Sequence, residues 1–101
     1  MDKQVIREFI HKSKRSATED EKRVWGLLQM WNDTRSFEVF DGMIRFSLED
    51  TKKELKKPCD KNDAFEVNWR GLLERDVKVY GNIVKWLDEQ KGQSDGTAST
   101  L

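Results

Sequence analysis

Ser36-Phe37-Glu38-Val39-Phe40-Asp41-Gly42-Met43-Ile44-Arg45-Phe46-Ser47-Leu48 is the stretch on which the reading of this chain turns. Asp41-Gly42 stands between two segments in which apolar and polar residues alternate. Such a dipeptide is the strongest short-range sign of a β-hairpin, because both central positions of a type I′ turn need positive φ. The register that follows pairs Phe40 with Met43, Val39 with Ile44, Glu38 with Arg45 and Phe37 with Phe46. One face then carries Phe37, Val39, Ile44, Phe46 and Leu48, and the other an opposite-charge pair. The flanking sequence reads as helix. The expected fold class is α+β: a mostly helical single domain with one central β-hairpin at about 36–48 packed on helices.

Working outward, Gln4 to Lys12 places Val5, Ile6, Phe9 and Ile10 on one helical face. Lys12 to Ser16 is a polar, basic connector. Thr18-Glu19-Asp20-Glu21 has the form of a capping box opening a helix that runs to about Asn32. Val24, Leu27, Leu28 and Trp31 form its buried stripe, flanked by Trp25 and Met30. After the hairpin, Asp50 and Thr51 can cap a short helix through Lys57, which Pro58 ends. Cys59 to Asn62 is a loop. Asp63 and Glu66 form a second possible box before Phe65, Trp69, Leu72 and Leu73.

Asp76 to Glu89 admits two readings. As a helix with Asp76 as N-cap, it gathers Val77, Val79, Tyr80, Ile83, Val84, Trp86 and Leu87 on one half of the wheel. As a hairpin, Gly81-Asn82 is the turn, but Lys78 then opposes Lys85. The helix is preferred. The hairpin reading would place a wing at 77–87 after Leu72-Leu73-Glu74-Arg75-Asp76-Val77-Lys78-Val79, and the order of elements over residues 19 to 87 then resembles a winged helix-turn-helix. That resemblance implies DNA binding, although Glu66, Glu74 and Asp76 make the would-be recognition helix acidic. Residues 1–91 are read as one compact domain and 92–101, rich in Gly, Ser and Thr, as a disordered tail.

Nineteen basic and nineteen acidic residues cancel in this 101-residue chain, and charged residues make up 38% of it. A net charge of zero removes any overall electrostatic pull toward nucleic acid or anionic membrane. One cysteine, Cys59, allows no internal disulfide, and no segment is apolar enough for a signal or a membrane span. The expectation is a cytoplasmic protein without membrane association. One histidine, His11, and one cysteine make no zinc motif. Asp60-Lys61-Asn62-Asp63 opens like a calcium loop but lacks the required glycine. No cofactor, metal or catalytic set is expected, and the chain is read as a non-enzyme.

Two surfaces remain. Phe40 and Met43 beside Glu38 and Arg45, on the second face of the hairpin, would make a small protein-binding patch with a charged rim. Lys52, Lys53, Lys56 and Lys57, with Lys61 in the loop, would neutralise phosphates of double-stranded DNA, and base specificity would have to come from Arg70 or another residue. Trp31 and Trp69 are read as core. The leading expectation is a small binding or regulatory protein acting through protein contacts. The alternative is a winged-helix-like DNA-binding regulator. An unpaired hairpin edge would also serve a homodimer.

Overall fold

The computed structural model describes the backbone of residues 1–99 and the side chains of residues 1–91. Four helices account for it: α1 (Lys3–Arg15), α2 (Glu19–Thr34), α3 (Phe37–Leu55) and α4 (Ala64–Ser99). There is no strand among the described residues. The architecture is all-α, and the α+β class, the hairpin at 36–48 and the alternative wing at 77–87 are all corrected by it. The tail expected at 92–101 lies, in its side chains and its last two residues, outside what is described.

The hairpin stretch is the first half of α3. Ser36 is its N-cap, in extended geometry, with its hydroxyl accepting from the Val39 N–H at 3.3 Å. Phe40, Ile44 and Leu48 recur at helical spacing and are all buried. That period competes in the same residues with the two-residue alternation of Phe37, Val39, Ile44 and Phe46. The helical set wins because it buries three large side chains at once, whereas Val39 and Phe46 end 49% and 72% exposed. Asp41, the first turn residue of the hairpin reading, instead binds Arg45 one helical turn on, at 3.1 Å. The helix continues through Asp50 and Thr51, so the short separate helix expected there is only its last turns.

Gly42 provides a direct test. No glycine among the described residues has positive φ, and a Cβ at Gly42 would meet nothing within 4 Å. Gly42→Ala is therefore expected to stabilise the protein by about 1 kcal/mol, the helix-propensity difference, and raise the thermal midpoint by a few degrees. In a type I′ turn the same change would destabilise. Thermal unfolding followed by circular dichroism reads the sign.

The N-terminal part follows the sequence closely. Asp2 caps α1, which buries Ile6 and Ile10 while Val5 stays exposed. Thr18 and Glu21 form the full capping box: the Glu21 N–H donates to the Thr18 hydroxyl at 3.2 Å, and the Thr18 N–H donates to Glu21 Oε1 at 2.9 Å. α2 buries Val24, Trp25 and Leu28, with Leu27 at the surface. Asn32, 1% exposed, donates from Nδ2 to the Lys3 carbonyl at 3.1 Å, tying the end of α2 to the start of α1. Phe9 stacks on Trp86 with ring centroids 4.3 Å apart, which locks α1 against α4.

α4 runs unbroken through Asp76, which is an interior residue and not an N-cap. The helical reading of 76–89 is the one realised. Val79, Tyr80, Ile83 and Leu87 are buried, and burial pushes the Tyr80 hydroxyl pKa up. Ion pairs join the helices at the margins: Arg7–Asp33 at 2.8 Å between α1 and α2, Lys78–Glu21 at 2.7 Å between α4 and α2, and Arg45–Asp88 at 2.7 Å between α3 and α4.

Glu21 has a pH consequence. Its carboxylate accepts from Lys78 first and then from the Thr18 N–H, which lowers its pKa from 4.5 to about 2. A depressed folded-state value means the stabilisation is complete above the unfolded value near 4.5 and fades as pH falls toward 2. Glu21→Gln is expected to flatten that part of the stability–pH curve. The acid dependence left in the variant belongs to Asp33 and Asp88, which Arg7 and Arg45 hold below the usual range. Urea midpoints from about pH 2 to neutrality check this.

Candidate protein-binding surface

Exposed apolar side chains include Val39 and Phe46 on the outer face of α3 and a contiguous group on the first turns of α4. Phe65 is 75% exposed, Trp69 52% and Leu72 39%. Their spacing is not arbitrary. Phe65, Trp69, Leu72, Asp76, Val79, Ile83 and Trp86 follow one another at alternating steps of four and three, the pattern that keeps a single seam on one face of a helix. From Val79 onward that seam is the core face: Val79 is 1% and Ile83 0% exposed, and Trp86 stacks on Phe9. Before Asp76 the same face is open. Asp76, half-buried and bound to its neighbour Arg75 at 2.9 Å, marks the boundary.

The geometry of the shorter helices explains why cover stops there. α2 begins at Glu19, and its first turn reaches α4 at the Glu21–Lys78 pair. The α1–α2 layer therefore packs directly on α4 from about residue 75 on, and ahead of that Thr18 and Asp20 face Asn68 and Leu72 only across a crevice. Ala64 to Arg75 project past it by ~17 Å at the usual helical rise. α3 accompanies this arm on one flank. Arg70 donates from Nη1 to the Leu55 carbonyl at 2.6 Å and from Nη2 to the Lys57 carbonyl, so its guanidinium caps the end of α3. Glu66 accepts from the Asp60 N–H at 2.7 Å and holds the connecting loop, while Asp63 Oδ1 accepts from the Phe65 N–H at 2.9 Å. Thus only Asp63 behaves as the sequence motif suggests; the Glu66 side chain turns to the loop instead.

Crevices border the open seam on both sides. One lies between Trp69, Leu73 and the end of α3 at Lys57 and Pro58. The other separates Leu72 and Asn68 from Thr18 and Asp20 at the start of α2. The result is an apolar ridge with polar, mixed-charge walls, the anatomy of a protein contact surface.

The residues singled out from the sequence fall differently. Phe40 is fully buried and belongs to the core, which corrects its reading as a binding residue. Arg45 is spent on Asp88 and Asp41, and those two acids raise its pKa. Glu38 is exposed and Met43 half-buried, beside Val39 and Phe46 on the outer face of α3. That outer strip contains no tryptophan and does not continue the core. Trp69, expected in the core, is instead the centre of the exposed seam, while Trp25 is buried at 3% and Trp31 half-buried. The sequence pattern does place these residues on one face, but it carries no sign that the face is uncovered; that depends on the lengths of α1 and α2.

Lys52, Lys53, Lys56, Lys57 and Lys61 are all exposed around the end of α3. Lys52 lies 3.7 Å from Glu49 and Lys57 2.8 Å from Glu54, and Glu54 raises the Lys57 pKa. With carboxylates interleaved, with no wing, and with Arg70 committed to the α3 carbonyls, the features that motivate DNA readout do not converge. Cys59 sits half-buried in the loop and His11 is exposed on α1. No helix among the described residues is long and apolar enough to cross a membrane. No protein-family model matches this chain, and neither a curated protein nor a solved structure does.

Proposed function

We propose that this chain is a small binding protein that acts through protein contacts and docks its partner on the open seam of α4. The single observation that supports the reading is that a face buried over Val79, Ile83 and Leu87 continues uncovered through Leu72, Trp69 and Phe65. Leaving a tryptophan and a phenylalanine in water has no benefit to the isolated fold, since covering them would contribute about 1.5–3 kcal/mol each. Scattered surface leucines need no such account; contiguous aromatic residues on a core-forming face do. The ridge shape suits an amphipathic helix or a comparable apolar edge as the docked element. Affinity capture with the full chain as bait tests the reading. A specific partner should be retained by the native chain and lost with Trp69→Ala; capture indifferent to Trp69 and Phe65 would reject the seam as the binding surface.

A further inference from the structure

Resting on that reading, we infer that the element seated on the α4 seam is the same seam of a second copy, the two arms lying antiparallel across a two-fold axis. Three observations lead there. First, the steps match. Each arm projects beyond its own α1–α2 layer, so antiparallel arms put each layer past the open end of the other arm. Parallel arms would drive both layers into one space. Like half-lapped beams, each copy fills the step left in the other, and an isologous contact of this kind closes on itself as a dimer.

Second, the charges suit a copy of the same chain. Between Asp60 and Lys78 the acids are Asp60, Asp63, Glu66, Glu74 and Asp76, and the bases Lys61, Arg70, Arg75 and Lys78. Neither sign prevails there, and the whole chain has a net charge of zero. Five acids against four bases leave only one net negative charge on the segment, so two copies meet with little repulsion, and nothing on the arm would draw a strongly acidic or basic partner.

Third, the area reaches the lower bound of a specific interface. Phe65, Trp69 and Leu72 expose roughly 350 Å² of apolar surface at their observed exposures. At the usual apolar share of an interface, about 57%, this corresponds to a footprint of roughly 600 Å² per copy and 1,200 Å² in all. That lies at the low end of specific interfaces and well short of the roughly 2,000 Å² and more typical of obligate ones.

Sedimentation velocity of the full chain, from about 1 to 300 μM, tests the inference. The expected result is a concentration-dependent shift from the 11.9 kDa monomer toward twice that mass. Trp69→Glu and Phe65→Glu should each weaken the dimer at least about 30-fold, with helix content by circular dichroism unchanged because both side chains are exposed. Phe46→Glu, on the outer face of α3, should leave it intact. A chain monomeric throughout overturns the second-copy inference, as does a dimer broken by Phe46→Glu and not by Trp69→Glu. If the monomer still retains another protein in a Trp69-dependent way, the broader binding reading stands and only the identity of the occupant falls. If it retains none, both fall.

Discussion

Phe40→Ala is expected to lower the free energy of unfolding by about 3–5 kcal/mol, a larger loss than any other substitution named above should cause. Phe40 is 0% exposed and heads the fully buried side chains of the core, with Ile6, Ile10, Leu28, Ile44 and Ile83. Truncation removes the transfer free energy of the ring and leaves a cavity that four packed helices can collapse only in part. For a domain of this size, whose whole stability is of order 5–15 kcal/mol, that is a loss of about a fifth or more. A urea midpoint that moves by less than about 1 kcal/mol equivalent would mean that Phe40 is not core. Loss of partner binding in Phe40→Ala would report unfolding and not contact, so this variant cannot probe a surface. The distinction matters because the hairpin reading puts Phe40 on a patch, where the same substitution would leave stability almost unchanged.

Trp69→Ala should do the reverse. Half of the tryptophan is already in water, so its removal should change stability by no more than about 1 kcal/mol. Its effect on binding should be at least about 2 kcal/mol, a loss of roughly 30-fold, because a central tryptophan flanked by apolar neighbours is where interface energy concentrates. The pair of variants thus separates core from surface: Phe40→Ala loses stability, while Trp69→Ala keeps its fold and loses affinity. Thermal denaturation and affinity measured on the same preparations decide it. A Trp69→Ala protein that is strongly destabilised would place Trp69 in the core, and one that binds normally would remove the seam from the functional account.

The capping box at Thr18 and Glu21 is fully legible in the amino-acid sequence, since it depends on four consecutive residues and the hydrogen bonds they make to one another. The apolar face of α1 at Ile6 and Ile10 is legible for a related reason, its helical period, whereas 76–89 reads as helix only in competition with a hairpin that sets Lys78 against Lys85. Residues 36–48 mislead because two periods share them. Ile44 and Leu48 belong to both, and Asp-Gly tips a purely local argument toward a turn that the helix simply tolerates at a cost of about 1 kcal/mol. Trp69 misleads in a different way. Its face follows correctly from the spacing, but hydrophobicity alone implies a burial that the fold does not provide.

Neighbouring residues in the chain settle where helices start, which face is apolar and how backbone amides are satisfied, because those interactions span one or two turns. They leave open whether Phe40 points into a core or a sheet face, since that depends on the packing of α3 against α4 and α2, whose residues lie far off in sequence. Nor can they say that the α4 seam is covered from Val79 and bare at Trp69. That boundary lies where α1 ends and α2 begins, and it arises from helices of unequal length packed side by side: an apolar face is buried only as far as its neighbours reach.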